Sequence, residues 1–377
     1  MGSHELTAPA NPLGYPAPYW FLAFFKVLGF TLHALPMSLW YAGIFLALFA
    51  YWLGGPLAKV WSRRLMERMP IIVALGINFG IIPLLFLQTA YYKVFYPATI
   101  LMAWPWFAII PMLTLAYYGV YLYIVGLRGQ NLLAWHKAAG WVSAVLFTII
   151  GFFFANAFSL MVNVSGWEEL WRKTNLAGAA LGTALNTGDP TLWPRWLMMI
   201  GLAICTVSAY TVFDAAFWAS REGDEYRRWA GGFALKVHTV GLLWFASMGS
   251  WYVFGTWPAD VRESMFSGAK LLLTAVTAIS PGIPWFFILL QRRGVTRALA
   301  AAAGAGQFAA IAVNAVSRQL VQNIHLSLFV DVAAEPVRVQ WSPIVVFLVM
   351  FAIGVVILVW IALKLVEAER QSQARAT

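Results

Sequence analysis

A series of apolar segments, each about 20 residues long, recurs along the whole chain and constrains its fold more than any other feature. Because an α-helix rises about 1.5 Å per residue, each segment is long enough to cross the hydrocarbon core of a bilayer. We predict about nine spans, at residues 20–53, 70–91, 101–126, 138–163, 194–219, 233–256, 268–291, 298–319 and 343–366. The sequence therefore predicts an all-α polytopic membrane protein. It would have an outer segment (1–19), a single transmembrane domain (20–366) and a cytoplasmic tail (367–377).

The basic residues predict the orientation of these spans. Of the 25 Lys and Arg residues, 16 lie in the connections that follow odd-numbered spans or in the C-terminal tail. Cytoplasmic connections carry an excess of Lys and Arg, so we expect the N-terminus outside and the C-terminus in the cytoplasm. The net charge of +10 then belongs to a membrane surface and does not indicate nucleic-acid binding. We expect a multi-pass protein of a bacterial cytoplasmic (inner) membrane.

The two long outer connections, about 164–192 and 320–342, are rich in Trp, Gly, Asn and Pro. Tryptophan rings are favourable at the headgroup level of a bilayer, so these connections can lie at the membrane interface. Ordered outer connections can equally bind an extrinsic partner protein. Both interpretations remain open from the sequence.

His33 is the first candidate functional residue. It lies inside the first apolar segment, about two turns after Lys26, and an ionisable residue at this depth is a functional-site hypothesis by default. A neutral imidazole there can be an axial ligand of a heme iron. The alternative is a histidine that is hydrogen-bonded to a carbonyl or hydroxyl of a neighbouring helix. Cys205 is the single cysteine, so there is no attachment motif for a covalent heme c.

Further polar residues occur inside the predicted spans. Those toward the outer side are Gln88, Asn156, Lys270, Asn314, Arg318 and Gln319, and those toward the inner side are His136, Asp214, Lys236 and His238. Hydrogen bonds between helices can explain any single Asn or Gln. Lys270 and Arg318 either extend to the lipid headgroups or neutralise the propionates of a heme. We expect Asp214 to pair with an inner-face cation, and His136 and His238 to lie at the inner interface.

Several short motifs occur in a consistent order. They are residues 32–48 (LHALPMSLWYAGIFLAL), 76–80 (GINFG), Trp135-His136 followed by 154–156 (FAN), and 317–319 (SRQ). Together they resemble subunit I of the cytochrome bd-type quinol oxidases. The resemblance implies a bundle of nine helices with its N-terminus outside. It also implies that His33 ligates the heme of the site that reduces oxygen in that family.

Other positions depart from this family. The histidine and methionine that hold its low-spin heme fall at Met198 and Leu272, and a glutamate ligand of its other high-spin heme falls at Ala315. The segment 101–126 has no Asp or Glu, although the family carries protons there. The connection that binds quinol in the family is reduced to about 257–267. Complete quinol oxidase activity is therefore not expected.

The first hypothesis is a membrane subunit of a respiratory electron-transfer complex, with one or two b-type hemes near the outer face. The candidate cofactor-binding residues are His33 as the iron ligand and Lys270, Arg318, Gln319, Gln88, Asn156 and Met198 around it. Electrons would be exchanged with an extrinsic c-type cytochrome or iron–sulfur partner. His325 is a further candidate ligand or, alternatively, a surface histidine.

Two alternatives come from other classes of function. In the second hypothesis the chain is a heme-free anchor of a redox complex, with aromatic side chains filling the former heme cavities. The third is a transporter coupled to protons or a solute. The third is less favoured because the charged residues lie at the edges of the spans and not at the midplane.

Overall fold

The computed structural model describes residues 7–129 and 132–374, and most of these residues are helical. The helices are α1 (Tyr19–Tyr41), α2 (Gly43–Leu53), α3 (Pro56–Ala90), α4 (Tyr92–Leu101), α5 (Ala103–Arg128), α6 (Ala134–Val162), α7 (Trp167–Thr174), α8 (Leu192–Phe217), α9 (Gly223–Ser250), α10 (Ala259–Met265), α11 (Gly268–Ile279), α12 (Gly282–Leu290), α13 (Arg297–Leu326) and α14 (Trp341–Ala374). A short antiparallel hairpin, β1 (Asn175–Leu176) and β2 (Ala179–Ala180), lies in one connection. A π-helical turn, Trp251–Thr256, continues α9.

Eight helical segments within the described part of the chain are long and apolar enough to cross a membrane. They are Tyr19–Leu53, Pro56–Ala90, Ala103–Arg128, Ala134–Val162, Leu192–Phe217, Gly268–Leu290, Arg297–Leu326 and Trp341–Ile361. Eight of the predicted spans overlap these segments. The other predicted span, 233–256, is helical but less apolar, because Lys236 and His238 interrupt it. The chain is an all-α polytopic membrane protein.

The most extensive helix packing is that of α1 with α3, α5 with α6, and α8 with α9. Glycines allow the backbones of α8 and α9 to meet. A Cβ atom added at Gly201 would lie 2.6 Å from the Phe245 nitrogen, and one added at Gly241 would lie 2.9 Å from the Cys205 nitrogen. Small residues at such crossings favour close helix association in a membrane.

Asp214 on α8 is the centre of a buried ion-pair cluster. Its carboxylate is 1% exposed and accepts hydrogen bonds from Arg64 Nε at 2.8 Å and Arg64 Nη2 at 3.0 Å. Arg68 also donates to this carboxylate, and Glu222 accepts from Arg64 Nη1 at 3.0 Å. The predicted pairing of Asp214 with a cation is confirmed, and the cluster connects α3 to α8.

The two histidines predicted at the inner interface are buried against protein. His136 is 6% exposed and its Nδ1 accepts a hydrogen bond from the Leu133 nitrogen at 3.2 Å, near the start of α6. His238 is fully buried and its Nε2 lies 3.0 Å from the Pro281 carbonyl oxygen, to which it donates. Both rings therefore have backbone partners within the chain.

The last helix, α14, is attached to the bundle by aromatic contacts and by the N-terminal segment. Phe347 lies 4.9 Å from Phe25 between ring centroids. Just before α14, the Tyr15 nitrogen donates to the Pro336 carbonyl oxygen at 2.8 Å, and the Arg338 nitrogen donates to the Tyr15 carbonyl oxygen at 2.9 Å. These contacts hold the beginning of α14 beside α1 and α3.

Candidate functional site: a cavity in the helix bundle

A cavity of about 630 Å³ lies among α1, α3, α5, α6, α8, α9, α11 and α13, with the π-helical turn on its wall. This volume is in the range of ligand pockets, roughly 300–1,000 Å³. Its lining is mainly aliphatic and aromatic and includes no Asp or Glu among the described residues. The cavity is not fully closed, since Ile81, Phe254 and Leu271 line it and are 50%, 65% and 45% exposed.

His33 lines this cavity from α1. Its Nδ1 lies 2.7 Å from the Gly76 carbonyl oxygen on α3. A carbonyl oxygen can only accept, so Nδ1 carries the hydrogen and Nε2 keeps its lone pair. Nε2 makes no hydrogen bond to any residue that the structure describes. The imidazole is therefore held as the neutral tautomer that ligates metals through Nε2.

Two glycines on α3 make room for this arrangement. A Cβ atom added at Gly80 would lie 2.8 Å from His33 Nδ1, and one added at Gly76 would lie 2.1 Å from the Trp40 ring. The Trp40 and His33 ring centroids are 5.9 Å apart. This packing explains the two glycines of the GINFG motif. They allow the Trp40 ring and the His33 imidazole of α1 to contact the backbone of α3.

Three cations line the same cavity from three helices. Lys26 on α1 donates from Nζ to Gln319 Oε1 at 2.6 Å and to Gln322 Oε1 at 2.9 Å. Arg195 on α8 donates weakly, at 3.4 Å, to the Ala155 carbonyl oxygen. Arg318 is the third cation and comes from α13. Each is partly buried, and none forms a salt bridge with a described residue.

Arg318 contacts aromatic rings and makes no hydrogen bond to the described residues. Its Cζ lies 4.8 Å from the Phe30 ring centroid and 5.3 Å from the Phe158 ring centroid. Such cation–π contacts favour a guanidinium but do not neutralise its charge. Arg195 and Arg318 line one small pocket together with Gln322, and Gln322 also accepts the hydrogen bond from Lys26. We call the region around Lys26, Arg195 and Arg318 the cationic end of the cavity.

A smaller pocket adjoins the cationic end. Arg195, Arg318, His325 and Gln322 are among the residues that line it, and its volume of about 10 Å³ is enough for about one water molecule. The Gln322 Nε2 atom is buried and has no hydrogen-bond partner. His325 therefore lies beside the cations, in a region rich in hydrogen-bond donors.

Four of the seven predicted cofactor-binding residues line the cavity. They are His33, Met198, Arg318 and Gln319. Gln319 donates to the hydroxyl of Tyr91, and it donates to the Tyr19 hydroxyl at 3.1 Å. Met198 packs near the π-helical turn, where a Cβ atom added at Gly249 would lie 3.4 Å from its sulfur.

The other three predicted residues do not line the cavity. Lys270 Nζ donates to Ser264 Oγ at 2.7 Å. Asn156 is fully buried, and its Oδ1 accepts from the Asn186 nitrogen at 2.8 Å, so it fixes the connection 164–192 to α6. Gln88 follows Leu87, which does line the cavity, but its own side chain is not part of the wall.

Sequence reasoning missed Lys26 and Arg195 as cavity residues. The position of Lys26 contained a signal, because residues seven apart in a helix lie on nearly the same face and His33 follows at that spacing. Arg195 stands close to the start of α8 and has no such relation to His33 in the sequence. Only the packing of α8 against α1 and α13 brings it to the cavity.

Aromatic side chains line the cavity without filling it. Trp196 Nε1, Trp257 Nε1 and the Tyr41 hydroxyl are buried on its wall and make no hydrogen bond of normal geometry to the described residues. The wall therefore combines a large apolar area with a few buried polar atoms. Within the described residues, no group of three or more His, Cys, Asp and Glu side chains is placed to hold a metal ion. When the chain is compared with protein-family models and with curated proteins, none of them matches.

Proposed function

We propose that the chain is a membrane subunit of a respiratory electron-transfer complex and that its cavity binds a b-type heme through His33. The hydrogen bond from His33 Nδ1 to the Gly76 carbonyl, beside an open cavity, carries this proposal. A ring that donates from one nitrogen to a backbone carbonyl has its orientation and its tautomer fixed for ligation through the other nitrogen. A bound heme would supply one-electron chemistry.

The residues of the cavity suit such a group. The apolar wall excludes water, and the aromatic rings of Trp40 and Phe147 offer flat contact surfaces. Besides His33, the thioethers of Met37, Met198 and Met199 line the cavity and would be candidates to help hold the group, since Met and His together hold heme in other proteins. The chain's own contribution is to position the iron ligand and to keep the surroundings apolar.

The proposed topology has nine spans, with α9 and the π-helical turn as the sixth, and it has the N-terminus outside. The close packing of α9 against α8 supports its inclusion, because a helix covered by protein can carry more polar residues than one facing lipid. In this topology, which resembles subunit I of the bd-type oxidases, the cationic end faces outward. The membrane would be a bacterial cytoplasmic membrane, and an extrinsic c-type cytochrome or iron–sulfur protein would dock on the outer connections.

A heme-free anchor is the second candidate function. The same hydrogen bond to Gly76 favours it in one respect, since it gives His33 a partner without any ligand. The two functions differ in what the cavity holds. An anchor would use the bundle only to attach other subunits to the membrane, and its cavity would hold lipid.

The absorption spectrum of the purified chain tests the proposal. We expect Soret and alpha bands in the reduced-minus-oxidised spectrum of the wild type, near one heme per chain. His33→Ala should lose these bands, and added imidazole should restore part of them by replacing the missing ligand. His136→Ala is the matched control, because His136 is buried outside the cavity. A folded wild-type protein that stays featureless after expression with ample heme would leave only the anchor.

A further inference from the structure

We infer that the cationic end of the cavity is a binding site for an anionic group, a carboxylate or a phosphate. Three cations from α1, α8 and α13 meet there, and no Asp or Glu lines the cavity among the described residues. Burying charge away from water is costly unless an opposite charge or hydrogen bonds compensate it. The inference names the ligand chemistry of a region that is separate from the His33 imidazole.

Three other partly buried cations have carboxylate partners. Arg64 and Arg68 both pair with the buried Asp214, and Lys93 pairs with Glu335, which is 8% exposed. For these three cations the chain supplies the acidic partner itself. At the cationic end it supplies amides and aromatic rings instead. This contrast indicates that the compensating charge comes from a ligand.

The cationic end has hydrogen-bond donors to spare. An arginine has five N–H donors, yet Arg318 donates none to the described residues and Arg195 donates one weak bond. Gln322 Nε2 adds a buried donor without a partner, and it lies on the wall of the small pocket beside both arginines. A carboxylate or phosphate oxygen accepts such bonds in charge-assisted form, which is stronger than the neutral form.

The shape of the cavity determines the rest of the ligand. Beyond the cations, the wall is formed by residues such as Phe30, Phe154 and Phe245, so the ligand has an apolar body attached to its anionic group. Two sources share this chemistry. One is the pair of propionates of the heme proposed above, in which case the inference rests on that function. The other is the headgroup of an anionic phospholipid whose acyl chains occupy the apolar part.

Heme and heme dimethyl ester separate the anionic contribution from iron ligation, because the ester has the same iron and ring without the negative charges. We expect the full-length wild type to bind heme about tenfold more tightly than the ester, the scale of one charge-assisted hydrogen bond. The ratio should fall to about one in Arg195→Gln/Arg318→Gln. It should be unchanged in Lys270→Gln, which removes a cation that does not line the cavity. The variant with both arginines changed to Lys keeps the charges and should retain most of the preference.

Phospholipid retention tests the other source in a protein that carries no heme. His33→Ala would be mixed with equal amounts of phosphatidylglycerol and phosphatidylcholine in detergent, and bound lipid would be counted by native mass spectrometry. Retention of phosphatidylglycerol alone, and its loss when both arginines are changed to Gln, would support a lipid headgroup even if the wild type never binds heme. Equal binding of heme and its ester, together with equal retention of both lipids, would overturn the inference. Heme binding that is lost in His33→Ala but shows no preference for the free acid would leave the proposed function intact.

Discussion

The ion-pair cluster around Asp214 and the cationic end of the cavity solve the same physical problem in different ways. Both bring arginines into a helical bundle that is otherwise apolar. At the first, Asp214 and Glu222 balance Arg64 and Arg68 within the chain. At the second, no described carboxylate lines the cavity or forms a salt bridge with its cations. A cluster that is complete in itself serves the fold, whereas an incomplete one is suited to a ligand.

Four predictions follow from this comparison, from the largest effect to the smallest. Replacing Asp214 by Asn should destabilise the protein most, by about 3 kcal/mol or more, because it leaves Arg64 and Arg68 without their buried counter-charge. The apparent unfolding temperature in detergent would measure this. Glu222→Gln is the milder control, since the Glu222 side chain is 31% exposed. If Asp214→Asn unfolds at the wild-type temperature, the cluster does not stabilise the fold and the comparison fails.

Gly80→Ala should be next in size. The added methyl group would lie 2.8 Å from His33 Nδ1, so α1 and α3 must separate or the imidazole must turn, at a cost of about 1–3 kcal/mol. Heme binding should weaken in the same variant, because the hydrogen bond to Gly76 depends on this contact. Gly354→Ala on α14 is the matched control, since nothing lies within 4 Å of the added Cβ. Equal heme content in the two variants would show that the position of His33 is not critical.

Arg195→Gln should have a small effect of opposite sign in the ligand-free protein. Arg195 makes one weak hydrogen bond and no salt bridge to the described residues, so its removal relieves an unbalanced charge. We expect an unfolding temperature equal to or slightly above that of the wild type. When ligand is bound, the wild type should have the higher unfolding temperature. A clear loss of stability without ligand would mean that Arg195 stabilises the fold, as the arginines around Asp214 do.

The smallest effect is expected at the surface pair of Glu169 and Lys173 on α7. The Lys173 ammonium donates a hydrogen bond to the Glu169 carboxylate and lowers its pKa, and both side chains are exposed. A lowered pKa in the folded state favours folding at neutral pH, and this contribution is lost as the pH falls through that pKa. Because exposed pairs contribute little, Glu169→Gln should leave the unfolding temperature unchanged at pH 7 and at pH 4. A measurable shift would mean that α7 is more buried in the assembled protein.

Most of the fold could be predicted from the sequence, because a membrane-spanning helix is recognised from one continuous apolar segment. The segment 233–256 shows the limit of this reasoning. It was predicted as a span and forms a helix, but Lys236 and His238 make it less apolar than the other eight segments. The sequence does not show that α8 covers part of its surface, which makes such polar residues tolerable. Asp214 was predictable because a buried carboxylate needs a cation, and basic residues were close at hand.

The cavity could be predicted only in part. His33 could be recognised as a polar ring in an apolar segment. The positions of Lys26 and Arg195 on the cavity wall depend instead on the packing of three helices that are distant in sequence. Lys270 was a candidate cofactor-binding residue because it is a cation inside a predicted span. The turn before α11 instead directs its ammonium to Ser264. An alignment of motifs does not show which face of a helix a side chain occupies, yet that face determines which cation lines the cavity.

The gap in the cavity wall at Ile81, Phe254 and Leu271 bears on how the protein is assembled. A lipid-soluble molecule could pass sideways from the bilayer into a bundle that has already been inserted and folded. Loading of the site would then be a late maturation step. Occupancy would follow the supply of the molecule in the membrane and not the rate of synthesis of the chain.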